Sequence, residues 1–292
     1  EAELMQVALP GLSPLDQLKL TALVSALGKA EGYARSLDNA GRQYLLALRR
    51  FRFLAASTGG RSAERASQVS AADALWATAS QCQEPLVEHV LSEGTPVVWR
   101  HVASAGFGWW VGSRSLLERG VEAVAKAEFI VGKDPSQAAL FYLALGKSGV
   151  LMELYKNAKG GDEAHNMAMA KFMQRDFGMA KHAKAASKNA YALMGKQRFA
   201  YAAAFFVLAG RVNDAVAVIL DRLGDPQLAL VVVRLVHGFG STEEAELLAR
   251  LANNATGDAW LGLLVARLRG KVVEYLSAGP PPASLQWIRG ST

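Results

Sequence analysis

The chain has 292 residues, 51% of them hydrophobic and 20% charged, with a mean hydropathy of +0.12. This much apolar side chain supports a continuous core and excludes disorder as the reading for most of the length, because disordered segments lack the hydrophobic residues whose burial offsets ordering. The excess of 32 Lys and Arg over 26 Asp and Glu gives a charge of +6 and a pI near 9.4, which permits nucleic acid, anionic lipid or acidic protein partners and selects none; the single cysteine, Cys82, excludes an internal disulfide and a thiolate zinc site.

Residue 1 is Glu, and no basic segment or cleavage signal follows it, so the expectation is an excerpt of a longer polypeptide without a secretory signal. Ser13-Pro14-Leu15-Asp16 opens the first helix: Ser13 can cap, Pro14 needs no N–H partner at the first position, and Asp16 suits the positive end. Leu15, Leu18, Leu23 and Leu27 recur at helical spacing, and Gly28 is expected to end the run. A second helix is expected from Glu31 to Ala56, with Tyr44, Leu45, Leu48, Phe51 and Leu54 as its apolar stripe. The Gly, Ser and Arg rich stretch from Thr58 to Ser67 lacks periodicity and reads as a loop.

Helical patterning resumes near Ser70. Asp134-Pro135 and Asp225-Pro226 each pair a cap with a proline at the first helical position, and Ser241-Thr242-Glu243-Glu244 fits a capping box. Phe199, Ala202, Ala203, Phe206 and Ala209 form one stripe closed by Gly210. Val212, Ala215, Val216, Ile219, Leu220 and Leu223 form the next, closed by Gly224. Two helices joined by one tight turn must lie antiparallel. Val231-Val232-Val233 is β-branched, but Asp225-Pro226 and Gly238 bracket a segment of helical length. The most apolar stretch, Phe199 to Ala209, is about eleven residues, against the roughly 20 that a bilayer crossing needs.

The fold expectation is therefore all-α, an irregular solenoid of stacked antiparallel helical hairpins, with no fixed repeat period. Its parts are a helical segment over 1–57, a loop over 58–69, the helical array over 70–277, and an extended Pro-rich tail over 278–292 that follows from Gly279-Pro280-Pro281-Pro282.

Signals for chemistry are few. Gly146-Lys147-Ser148 imitates the end of a phosphate-binding loop, but the pattern needs a glycine where Phe141 stands and a strand where Ala138 to Leu145 reads as helix. The five histidines, His89, His101, His165, His182 and His237, form no ligand spacing. No catalytic, cofactor or metal residues are assigned. Trp99, Phe107, Trp109 and Trp110 read as packing at a hairpin corner, with an exposed hot spot as the other reading. Arg49, Arg50 and Arg52 make one basic cluster. Lys181, Lys184 and Lys188 share a helical face, followed by Lys196 and Arg198, and these five are the candidate partner-binding residues. The plainer reading of both clusters is a solvated outer face.

Several blocks resemble one family. Lys188-Asn189-Ala190-Tyr191, the run GKQRFAYAAAFFVLAG from Gly195 to Gly210, and Asn213-Asp214-Ala215-Val216 are similar to the K-N-A-F, G-K-Q-R-F-E, A-A-F-F-L-L-A-G and L-K-D-A stretches of the rabconnectin (DmX-like) proteins, which include the large subunit of the RAVE complex. Ala74-Leu75-Trp76-Ala77, Gly108-Trp109-Trp110-Val111 with Leu116, Leu117 and Glu118, Asp134-Pro135 with Ala138 through Leu145, and Asp225, Gln227, Leu228 and Ala229 agree in order. The resemblance covers about Ala72 to Leu235. Met179 to Ala186 lacks an expected tryptophan and arginines, and Asn157 to Met169 is inserted or divergent.

The resemblance implies a large cytosolic scaffold, with β-propellers ahead of a helical solenoid and no catalytic centre. It would bind V-ATPase subunits and other RAVE-type subunits, and help the detached catalytic sector rejoin the membrane sector. The peripheral stalk, or the region of the pump's C-type subunit, is the expected contact. The protein would lie peripherally on vacuolar, endosomal or vesicle membranes through its partners. A trafficking scaffold unrelated to proton pumping and a basic nucleic-acid binder are the alternatives.

Overall fold

The structure is a computed structural model that describes residues 9–31, 41, 83–91, 96–158, 163–255 and 258–277. Outside them lie most of the expected Glu31 to Ala56 helix, the loop at 58–69, the arginines 49, 50 and 52, the Ala74 to Ala77 block, Cys82 and the tail over 278–292. Among the described residues every regular element is helical, as expected for an all-α chain, and no helix is long and apolar enough to cross a membrane. The chain divides into two compact units, Glu1–Val131 and Gly132–Thr292.

The first unit contains α1 (Pro14–Glu31), α2 (Glu84–Leu91), α3 (Trp99–Ser104), the single turn α4 (Phe107–Trp110) and α5 (Arg114–Gly132), whose last residue opens the second unit. Ser13 caps α1 as expected, its Oγ accepting the Asp16 N–H at 3.2 Å, and its own hydroxyl donates to the Asp16 carboxylate at 2.7 Å. That bond, followed by Lys19 at 3.2 Å, holds the Asp16 carboxyl below its usual pKa. Gly28 does not stop the helix, which continues to Glu31. Glycine inside a helix costs only about 1 kcal/mol relative to alanine, too little to break a run that is otherwise continuous. Leu23 and Leu27 are 40% and 47% exposed, so they do not form the buried stripe their spacing suggests.

Two of the four aromatics in the tryptophan-rich stretch are core, as the plainer reading held, while Trp99 and Trp109 are half-buried. Phe107 and Trp110 are buried edge to face, centroids 5.5 Å apart, and the Trp110 indole N–H reaches the Ala105 carbonyl at 2.9 Å. Gln83 clamps the corner, donating to the Trp110 carbonyl and accepting the Gly112 N–H, both at 2.8 Å. Glu128 of α5 accepts the N–H of Trp99 and so supplies the cap that Val98 cannot give α3.

The second unit runs α6 (Pro135–Ala144), α7 (Ser148–Asn157), α8 (Glu163–Met173), α9 (Ala180–Gly195), α10 (Phe199–Leu208), α11 (Val212–Val218) with a π-helical turn Ile219–Leu223, α12 (Pro226–Val236), α13 (Thr242–Asn254), α14 (Ala259–Leu268) and α15 (Val272–Ser277). Three expected caps form: Asp134 accepts from the Ser136 N–H, Asp225 from Leu228, and Ser241 from Glu244. The capping box is half realised. Glu244 turns its carboxylate to the Gly240 N–H and to buried Arg234, at 2.6 and 2.7 Å, instead of to Ser241.

From α9 onward each helix packs on the next, which is the neighbour pattern of stacked hairpins. The departure is α6, which packs not only on α7 but on α10 and α12. Tight turns make α10 antiparallel to α11 and α11 to α12, and the start of α10 touches the start of α6. Thus α6, α10 and α12 run the same way as one inner group. This explains why α10 is not amphipathic and why α12 is buried along most of its length. Six successive residues, Tyr201 to Phe206, are buried, and so are Gln227 to Leu235. The expected stripe on α10 is instead a helix covered nearly all round. The stripe on α11 also fails at its end, where Leu223 is 38% exposed. The π turn inserts an extra residue per turn and rotates its own last residues off the apolar face.

Inside the group, Tyr155 of α7 and Tyr201 of α10 share a buried hydroxyl contact of 2.6 Å. Burial pushes both phenols up, Tyr201 to about 12 and Tyr155 further.

Candidate functional site

The sequence from Ala180 to Gly195 makes a helix because Ala, Lys, Leu and Met dominate it and proline is absent. Ala186 and Ala190, four residues apart, turn inward and let α10 approach closely. At 100° per residue, Lys181, Lys184, Lys188 and Tyr191 then fall within one narrow arc on the opposite side. All four are exposed.

Elsewhere on the described helices many exposed cations have an acid three or four residues away, Arg100, Lys171 and Arg267 being exceptions. Lys19 pairs with Asp16, Arg114 with Glu118, Lys126 with Glu122, Lys156 with Glu153, Arg211 with Asp214 and Lys271 with Glu274. α9 has no acidic residue at all. Its three lysines make no ion pair among the described residues, and two of them lie in the N-terminal half, against the helix dipole.

The structure brings together three of the five candidate cations. Lys196 is exposed in the corner after α9, off the arc. Arg198 is exposed but engaged: its Nη2 donates to the Ser136 hydroxyl at 2.6 Å, lies 3.6 Å from Asp134, and its guanidinium stacks on Tyr201 at 4.9 Å. Sequence reasoning missed Tyr191, which is 52% exposed and lies one turn beyond Lys188. Its ring meets Phe206 edge-on at 5.2 Å, and the Arg211 guanidinium lies 5.7 Å from its centre. The Tyr191 hydroxyl, ahead of Asp214, raises the Arg211 pKa. The spacing of three from Lys188 is the signal that could have found it.

Gly146-Lys147-Ser148 is a helix-to-helix corner. Gly146 has φ +70°, its N–H bonds to Leu143 and that of Lys147 to Tyr142, which is a Schellman cap. The same pair of bonds recurs at Gln197 and Arg198, at Gly210 and Arg211, and at Gly270 and Lys271. A left-handed residue followed by a cation thus marks four hairpins, a signature without a fixed period. Among the described residues no group of three or more His, Cys, Asp or Glu could hold a metal ion.

Residues 1–261 match the family described as RAVE protein 1 C terminal. Human DmX-like protein 1 is 37% identical over 255 residues, 83% of this chain and 8% of that protein. The relatives from Saccharomyces cerevisiae and Schizosaccharomyces pombe are each named regulator of V-ATPase in vacuolar membrane protein 1. They are 29% and 28% identical over 84% and 86% of this chain, which spans 17% and 19% of their lengths.

Proposed function

Because the chain belongs to the RAVE protein 1 C-terminal family, we propose that it is a non-enzymatic scaffold that regulates V-ATPase by binding its subunits and promoting association of the peripheral catalytic sector with the membrane sector. The observation that carries this reading is the pair of yeast relatives named as regulators of V-ATPase, each aligned over more than four-fifths of this chain. Stacked helices with an exposed, locally unneutralised cationic face support it, since such arrays present broad surfaces to other polypeptides.

The mechanism follows from tethering. A scaffold that grips one part of the pump, the peripheral stalk or the region of its C-type subunit, while other RAVE-type subunits hold another makes docking effectively intramolecular and raises the local concentration of the reacting ends. Membrane association is then peripheral and runs through partners, at vacuolar or endosomal surfaces.

Affinity purification of the tagged full-length protein from its own cells tests this. V-ATPase subunits should co-purify, and cells lacking the protein should acidify their organelles poorly. Recovery of trafficking factors without any V-ATPase subunit, with normal acidification, would overturn the reading.

A further inference from the structure

We infer that the outer face of α9 is a docking strip for an acidic helix of a partner protein, whose carboxylates meet Lys181, Lys184 and Lys188 in register and whose apolar edge rests on Tyr191. The inference rests on the scaffold reading above and names the chemistry of one contact.

The spacing decides the shape of the partner. Lys181, Lys184 and Lys188 are separated by three and four residues, so their stems project in a line spanning about 10 Å along the helix. A second helix laid alongside presents glutamates or aspartates at the same three and four intervals, and one such ladder satisfies all three ammonium groups at once. The absence of any acid on α9, and of any ion pair to these lysines among the described residues, leaves the groups available, whereas Lys156 of α7 and Arg211 at the start of α11 are already matched by local carboxylates. Tyr191 closes the strip with a fixed ring: Phe206 supports its edge and Arg211 its face, so an apolar side chain gains contact there at little cost in side-chain ordering.

A membrane surface fits less well. Anionic bilayers are recognised by clusters of about four to eight basic residues, and this strip supplies three on a single narrow arc. Arg198 is excluded from the strip because Ser136 and Asp134 hold it.

The test uses the full-length protein and a lactam-bridged helical peptide with glutamates on one face at alternating three and four residue intervals and leucines beside them. The parent should bind it in a salt-sensitive manner. Lys181→Glu/Lys184→Glu/Lys188→Glu should weaken binding by about tenfold or more and gain affinity for the counterpart peptide bearing lysines, as expected when charges across an interface are exchanged. Unchanged melting confirms that the variant folds; should it not fold, Lys184→Gln/Lys188→Gln replaces it, with a smaller loss expected. Equal binding by parent and variant, no binding of the parent to either peptide, or variant-sensitive binding of phosphatidylserine vesicles in place of the peptide would each overturn the inference. Retention of V-ATPase subunits by the triple variant would also remove α9 as the docking strip and leave the proposed function standing; their absence from the parent would instead overturn the function.

Discussion

Arg198 and Ser136 lie 62 residues apart in sequence, yet the guanidinium donates to the serine hydroxyl over 2.6 Å, and that hydroxyl donates in turn to Asp134. One side chain thereby ties the start of α10 to the start of α6. Both members of the Arg198–Asp134 pair are partly exposed, so their mutual attraction alone is worth little. Adding the hydrogen bond and the stacking on Tyr201, Arg198→Ala should cost about 1–2 kcal/mol, read from the urea midpoint at constant slope. Arg198→Lys should recover part of it. If Arg198→Ala melts like the parent, the tie is incidental.

A larger effect is expected at Arg234 and Glu244, which meet at 2.7 Å with side chains only 6% and 8% exposed. Glu244→Ala leaves a buried guanidinium without its carboxylate and strips the Gly240 N–H of its acceptor. Removing one member of a buried pair costs about 3–5 kcal/mol. Replacing both, as Arg234→Met/Glu244→Leu, should restore most of the stability. Chemical denaturation of the parent and the two variants distinguishes a pair that matters from one that does not.

Gly120 offers a steric test. A methyl group there would run into the ring of Phe107, which is fully buried and packed against Trp110. Gly120→Ala should destabilise by about 1–3 kcal/mol, the cost of overpacking a core. Gly149, near the start of α7, has open space where a Cβ would go, and Gly149→Ala should stabilise by up to about 1 kcal/mol. Opposite signs for one chemical change in two helices would confirm both placements; two similar shifts would contradict them.

The Tyr155–Tyr201 contact predicts alkaline sensitivity. Both phenols are raised from 10.0 in the folded state, Tyr201 to about 12, so the native state retains protons that the unfolded chain releases. Their contribution is complete below pH 10 and is lost as pH rises from 10 through 12. Melting temperature should fall across that window, and Tyr155→Phe/Tyr201→Phe should flatten the fall. Phenolate absorbance should show two tyrosines ionising late in the native protein. Parallel pH profiles for parent and variant would refute the assignment.

Local physics was readable in the sequence. Asp134-Pro135, Asp225-Pro226 and Ser241 announced helix starts because capping involves only a few consecutive residues. The lysine face of α9 was readable for the same reason, since a helix places residues three and four apart together wherever it occurs. What escaped was set by distant chain. Arg198 looked like one more unengaged surface cation because its partner Ser136 is 62 residues away. The stripe expected on α10 became all-round burial because α6 approaches it, a neighbour no local period reveals. The π turn after Val218 was hidden too, as one extra residue per turn leaves no mark in composition. The four Schellman corners were legible in principle, but their irregular spacing defeats a search for a fixed period.

The position of α6 has a consequence for biosynthesis. It leaves the ribosome ahead of the helices that cover it, with Gln137 as its single position not buried in the finished unit. Its covers, α10 and α12, are translated later, the first of them about 3–12 s behind at ordinary elongation rates of roughly 5–20 residues per second. During that interval a strongly apolar segment lacks its covers, so nascent chains in which α6 has left the ribosome and α10 has not should be the species that recruit cellular chaperones.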